Sequence, residues 1–208
     1  MKPMGVVLHL TASTFGNAAV VDKWHKQNGW SGIGYHRLVL NGKTGPKDAY
    51  DAKRDGVVEK GRPDHKQGAH CKAGGMNLCT FGVCCVGDPG TVPKGAKAAP
   101  SALTKKPYLT ARQADVLVDT VARLCMDLGW DPRGTFVHPA TGRVVPVVTQ
   151  HSDHDPGNKP FCASLPMEAV RQQVARRIEA LSGGIGAWLD AEPEGGGGAV
   201  DGLAEGGG

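Results

Sequence analysis

Apolar residues along this chain follow two alternating rhythms. The first is the short continuous run. Val6-Val7-Leu8-His9-Leu10, bounded by Gly5 and Thr11, reads as a buried strand, and so does Phe81-Gly-Val-Cys-Cys-Val86. Tyr35 to Leu40 alternates as a further strand. Val57-Val58-Glu59 is a short one after the Asp55-Gly56 turn, and Val147-Val148-Thr149 leads directly into His151. The second rhythm is helical. Residues 17–29 put Val20, Val21 and Trp24 on one face, with Gly29 placed to end the helix. Thr110 and Gln113 form a capping-box pattern, after which Ala114, Leu117, Val118, Val121, Leu124, Cys125 and Leu128 recur at helical spacing and Gly129 follows. A last helix starts near Pro166, with Val170, Val174, Ile178 and Leu181 along one face.

Between these elements, residues 41–55 and 60–80 are polar, glycine-bearing loops, and 87–107 is an exposed excursion rich in Gly, Pro, Lys and Ala. Thr141-Gly142-Arg143 turns a small hairpin between Phe136 and Val148. Strands and helices alternate, which predicts an α/β fold: a single mixed central β-sheet flanked by helices. From Gly183 onward glycine dominates and Trp188 and Leu189 are the only sizeable anchors. The chain is therefore expected to form one domain over 1–182 and a flexible acidic tail over 183–208.

The 208 residues are 40% apolar, enough for a core, and no run approaches the ~20 apolar residues of a membrane span. Met1-Lys2-Pro3-Met4 opens no signal peptide, so synthesis in the cytoplasm without membrane insertion is expected. The net charge of +4 is uneven. Residues 183–208 hold five acids and no Lys or Arg, and taking those five away leaves the body at +9. A basic body suits an anionic polymer such as nucleic acid or bacterial cell wall. No stripe of Arg and Lys interleaved with aromatics runs along the chain, so a nucleic-acid partner is not expected. The six cysteines are expected as reduced thiols, with Cys84 and Cys85 as small core residues.

The densest chemistry lies in His151-Ser-Asp-His-Asp-Pro-Gly-Asn-Lys-Pro-Phe-Cys162. Imidazole and thiolate are the ligands that Zn²⁺ prefers, and a Pro-Gly turn sits between them. The best distant partner is His9 in its apolar run. Three protein ligands leave a fourth tetrahedral position open, the arrangement of a catalytic zinc. Lys159, three residues before Cys162, is placed to steady an oxyanion. Spacing alone does not choose between His151 and His154, and Asp153 and Asp155 are further alternatives. A structural zinc site from His65, His70, Cys71 and Cys79 lacks a Cys-x-x-Cys pair and is the weaker reading.

These motifs resemble, in order, those of the zinc-dependent N-acetylmuramoyl-L-alanine amidases, which include bacteriophage amidase endolysins and animal peptidoglycan recognition proteins. His9-Leu-Thr-Ala-Ser13 is similar to the first ligand motif. Trp24-His25-Lys26, Gly29-Trp30 and Gly34-Tyr35-His36 resemble the helix-to-strand passage, and Asp55 through Arg62 the short strand and turn. Gly68-Ala69-His70 with Asn77 resembles the substrate-side loop. Thr110-Ala-Arg-Gln113 is similar to the start of the long helix, and His151-Ser-Asp, Pro156-Gly157 and Lys159 to the second ligand motif. The resemblance covers roughly residues 5–182.

It implies an amidase-like fold and a Zn²⁺ cofactor held by His9, His151 and Cys162, with His154 as the alternative ligand. It implies catalytic roles for Tyr35 and Lys159, substrate-side roles for His70, Asn77 and His36, and peptidoglycan as the partner of a monomer. The implied activity is hydrolysis of the N-acetylmuramic acid–L-alanine amide. The setting is a phage endolysin made in the host bacterial cytoplasm and reaching the wall after membrane permeabilisation. A muropeptide-recycling amidase and a non-catalytic peptidoglycan-binding module are the alternatives. The chain departs from the family's pattern in the long interval from His151 to Cys162, where an extra residue after Lys159 must bulge. Pro160 precedes the last ligand instead of following it.

Overall fold

The computed structural model describes residues 1–100 and 108–189. Seven strands and four helices follow one another: β1 (Gly5–Leu10), α1 (Ala18–Gln27), β2 (Arg37–Asn41), β3 (Asp55–Lys60), β4 (Thr80–Cys85), α2 (Ala111–Leu128), β5 (Thr135–Val137), β6 (Val144–Pro146), β7 (Val148–Gln150), α3 (His151–His154) and α4 (Met167–Leu189). Five strands make one sheet in the order β3-β2-β4-β1-β7, and β5 and β6 pair in a separate ribbon. The sheet is mixed: β2 runs antiparallel to β3, whereas β4 is parallel to β2 and β1, and β1 is parallel to β7. β1 and β4 are buried along their whole length, which explains their near-continuous apolar sequences.

Helix α2 shows how sequence choices dock an element. Thr110 Oγ1 accepts from Gln113 N–H at 2.9 Å, and Gln113 Oε1 accepts from Thr110 N–H at 3.1 Å. The Gln113 amide then donates to Val39 O and Val86 O, tying the helix start to the ends of two strands. Thr110 Oγ1 also donates to Asp55 Oδ1, and Tyr50 OH donates to Asp55 Oδ2. Gly129 closes the helix in the left-handed region at φ 66°. The apolar faces of α2 and α4 cover one side of the sheet, forming the larger core. A smaller one, with Val21, Ile33, Leu38, Leu40, Cys84 and Val86, lies under α1.

Several boundaries differ from the sequence expectations. β2 begins at Arg37, leaving Tyr35 and His36 in the approach to the strand. The polar segment after β7 is not irregular at its start. His151–His154 is one helical turn, because Gln150 and Asp153 cap each other across it. The 60–80 loop contains a 3₁₀ turn over Ala73–Leu78, with Gly74 and Gly75 at positive φ. Helix α4 runs on to Leu189, past the boundary expected at 182, and residues 190–208 of the expected tail lie outside the described residues. Part of the 87–107 excursion, 101–107, lies outside them too. Among the described residues no helix is long and apolar enough to cross a membrane.

Candidate active site

Parallel pairing brings the site together. Leu8 of β1 stands beside Gln150 of β7, so the next residues along, His9 and His151, become neighbours at the end of the pair. Their ring centroids are 4.8 Å apart. His9 is 1% exposed. The chain then leaves α3 as a tight loop, with Asp155 N–H donating to His151 O, Lys159 N–H to Asp155 O and Cys162 N–H to Lys159 O. This folding absorbs the extra residue predicted to bulge. It returns Cys162 to the strand end, where Leu10 N–H donates to Cys162 Sγ at 3.4 Å and Ser152 N–H donates to Cys162 O.

One ligand atom from each of His9, His151 and Cys162 lies within 4.8 Å of the others. Cys162 Sγ is 3.7 Å from His9 Nδ1. Tetrahedral zinc with ordinary bonds would hold such atoms roughly 3.3–3.6 Å apart, so the donor set fits the ion with small side-chain rotations. Two nitrogens and a sulfur are also the chemistry of a zinc site rather than of a hard-cation site. Burial lowers the pKa of His9 well below its ordinary value, and that of His151 to about 4. Both rings are thus neutral near pH 7, with lone pairs to offer. Burial pushes the Cys162 thiol up to about 11, against the opposing pull of the Leu10 N–H and Lys159. A cation bound there would reverse that balance and expel the thiol proton.

His154 stands outside this cluster. Both its ring nitrogens are enclosed without a hydrogen-bond partner, on the side of α3 that faces Gly74 and Arg143. The structure therefore joins His151, not His154, to His9. The alternative set also fails to form: Cys71 and Cys79 are free and buried, and no cluster of metal-ligating groups joins them to His65 and His70 among the described residues.

Tyr35 packs on His9 with ring centroids 5.1 Å apart. Burial raises its pKa well above 10, and the nearby Cys84 and Cys162 thiols add to the rise. Cys84, expected as core filler, is in register with His9 and so points to the same face of the sheet. No local sequence signal marks it; only the strand pairing does. A groove of about 500 Å³ opens over the cluster, lined by Trp30, His70, Lys72, Asn77, His151, Asp155 and Lys159 among others. Lys159, Asn77 and His70 all line this groove. Lys72 was not singled out by the sequence, and Trp30 stood out only within the Gly29-Trp30 motif, with no groove role.

The three residues expected on the substrate side also make scaffold contacts. His36 is fully buried and absent from the groove lining; its Nδ1 accepts from Gly82 N–H and its Nε2 meets Lys66 O. Asn77 Oδ1 accepts from the backbone N–H groups of His70 and Cys71 at 2.7 and 2.8 Å. His70 Nδ1 lies 3.0 Å from His9 Nε2.

The sequence profile of the N-acetylmuramoyl-L-alanine amidase family matches residues 1–159. The chain belongs to this amidase family. It is 39% identical over 67 residues to the endolysin of Escherichia phage T7 and 37% identical over 67 residues to that of Klebsiella phage KP32. These matches cover 32% of this chain, and the chain spans only 34% of the length of those relatives. Among solved structures, the amidase LysC of Clostridium intestinale URNW superposes with a TM-score of 0.56 at 21% identity, covering 84% of this chain and 86% of that one. The endolysin of the Thermus scotoductus MAT2119 bacteriophage Ph2119 gives a TM-score of 0.51 at 20% identity, with 84% and 86% covered. At such identities these likenesses establish the fold, and they agree with the mixed sheet and flanking helices of this amidase-family chain.

Proposed function

We propose that this chain is a zinc-dependent N-acetylmuramoyl-L-alanine amidase. It hydrolyses the amide between the lactyl group of N-acetylmuramic acid and L-alanine in bacterial peptidoglycan, and serves as a phage endolysin in host lysis. The observation that carries the reading is the convergence of His9, His151 and Cys162 beside a groove that His151 and Lys159 line. His9, His151 and Cys162 would hold the zinc. When bound, zinc polarises a carbonyl and lowers the pKa of water to roughly 7.

The remaining work falls to side chains of this chain. Lys159 brings an ammonium to the groove, where it steadies the negative charge growing on the amide oxygen. Tyr35 is a neutral phenol at working pH and acts as a hydrogen-bond donor beside His9. Its neighbour Cys84 offers only a thiol, a weak acceptor, so little is lost when the hydroxyl turns toward a more basic oxygen. Trp30 supplies a broad apolar surface at the groove rim for the substrate.

Mass spectrometry of products from purified sacculi and from soluble muropeptides, with and without chelator, tests this. Release of free stem peptides that stops on zinc removal is the expected outcome. Cleavage of muropeptides alone would replace lysis with recycling. Tight sacculus binding with every amide intact would overturn the enzyme.

A further inference from the structure

A neutral imidazole can lend one nitrogen to a metal only if its proton sits on the other. At His9 the nitrogen facing Cys162 is Nδ1, at 3.7 Å, and Nε2 lies 3.0 Å from His70 Nδ1. His70 in turn has its Nε2 3.2 Å from Thr80 O. A carbonyl oxygen only accepts. His70 Nε2 therefore carries a proton and donates it, which leaves a lone pair on His70 Nδ1. That lone pair can only accept, so His9 Nε2–H donates to it. The relay from Thr80 ends in a bare lone pair on His9 Nδ1, directed into the cluster.

The His70 ring is also held against turning. A Cβ on Gly68 would sit 2.4 Å from His70 Cδ2, and one on Gly82 would sit 2.6 Å from Cγ and Cδ2. The two glycines form a slot whose width is one imidazole. Gly82 is itself fixed, since its N–H donates to His36 Nδ1 at 3.0 Å. The backbone carrying His70 is clamped by Asn77 Oδ1.

We propose that His70 is a positioning residue. Held in its slot by Gly68, Gly82 and Asn77, it fixes His9 as the Nε2–H tautomer and aims Nδ1 at the metal. This rests on the zinc reading above, and it assigns His70 and Asn77 to ligand orientation. Partners of this kind typically affect metal affinity by about 10–100-fold.

The test has two parts, both on the full chain. Histidine-selective ¹⁵N NMR of the wild type, with and without zinc, reads the tautomers: protonated Nε2 is expected on both His9 and His70. Competition with a chelator then measures zinc affinity in the wild type, His70→Asn and His70→Leu. His70→Leu is expected to weaken zinc binding about 10–100-fold, with a shifted absorption spectrum in the cobalt-substituted protein. His70→Asn places Oδ1 where Nδ1 stood and is expected to recover most of the affinity and the wild-type spectrum. A proton on His70 Nδ1 overturns the proposal, as does undiminished affinity in folded His70→Leu. Should His70→Leu fail to fold, the wild-type tautomers and His70→Asn decide. If the wild type takes up no zinc, the metal reading falls and takes this inference with it. Normal uptake by both wild type and His70→Leu removes this inference alone.

Discussion

The two halves of the site are built in opposite ways. His9 lies in β1, a strand paired on both sides, and is almost fully buried and backed by a second histidine. The half from His151 to Cys162 hangs from the end of β7 as one helical turn and a loop closed by its own backbone hydrogen bonds. The first half is fixed by contacts between distant parts of the chain, the second by local ones. In the proposed zinc site the sheet half supplies one ligand and the loop half two, and the halves contribute unequally to holding the fold. His9→Ala and Cys162→Ser should both abolish stoichiometric zinc uptake, measured by elemental analysis, and reduce amidase activity to background. In chelator the two should separate. His9→Ala leaves a cavity and an unpaired His70 nitrogen, costing roughly 2–4 kcal/mol in urea unfolding. Cys162→Ser should cost under about 1 kcal/mol. Equal losses of stability would erase the distinction between the halves.

Lys159 sharpens the comparison from the loop side. It lines the groove and is not one of the three clustered ligand groups. Lys159→Ala should lower kcat by about 10²–10³-fold, the usual effect of removing one oxyanion partner. Zinc content and thermal midpoint should stay at wild-type levels. A fall in zinc content that tracks the fall in kcat would make Lys159 a support for the loop instead of a partner of the substrate.

The same division explains what could be read from the sequence. The strands and the two long helices were legible because burial imposes a period, and the α2 cap because Thr110 and Gln113 are local partners. The clustering of His9, His151 and Cys162 was legible because imidazole and thiolate are the few side-chain types that suit a zinc site. The scaffold contacts of His36, His70 and Asn77 were not legible for a physical reason. Their partners Gly82, Thr80 and Cys71 are set by sheet register and loop packing, which leave no mark in nearby sequence. Cys84 was hidden in the same way, since only its pairing with His9 brings it to Tyr35.

Acid should strain the sheet half more than the loop half. Burial lowers the pKa of His9, lowers His70 to about 3 and lowers His151 to about 4, whereas an unfolded histidine titrates near 6.5. Below pH 6.5 the unfolded chain takes up protons that the folded chain refuses, so stability falls as pH drops. Each group contributes at most ~1.4 kcal/mol per pH unit over its window, down to about pH 4 for His151 and about pH 3 for His70. Urea midpoints of the zinc-free protein at pH 7 and pH 5 should show this loss. His70→Asn should flatten the slope, and so should His151→Asn. A midpoint that does not change between those pH values would mean the rings are charged in the fold.

The smallest expected effect belongs to His154. One helical turn holds both histidines of α3 at i and i+3, close enough that sequence spacing could not choose between them. The fold chooses by the direction of β7, which delivers His151 to His9 and turns His154 toward Gly74 and Arg143. There its two nitrogens are enclosed without partners. Enclosing unsatisfied polar atoms costs about 1–3 kcal/mol, which offsets much of what its packing contributes. His154→Ala should therefore change stability by less than about 1 kcal/mol and leave zinc stoichiometry and activity intact, whereas His151→Ala should lose both. Zinc retained in His151→Ala and lost in His154→Ala would reverse the register. It would mean that metal binding rewinds α3, and that the loop half is shaped by the ion rather than waiting for it.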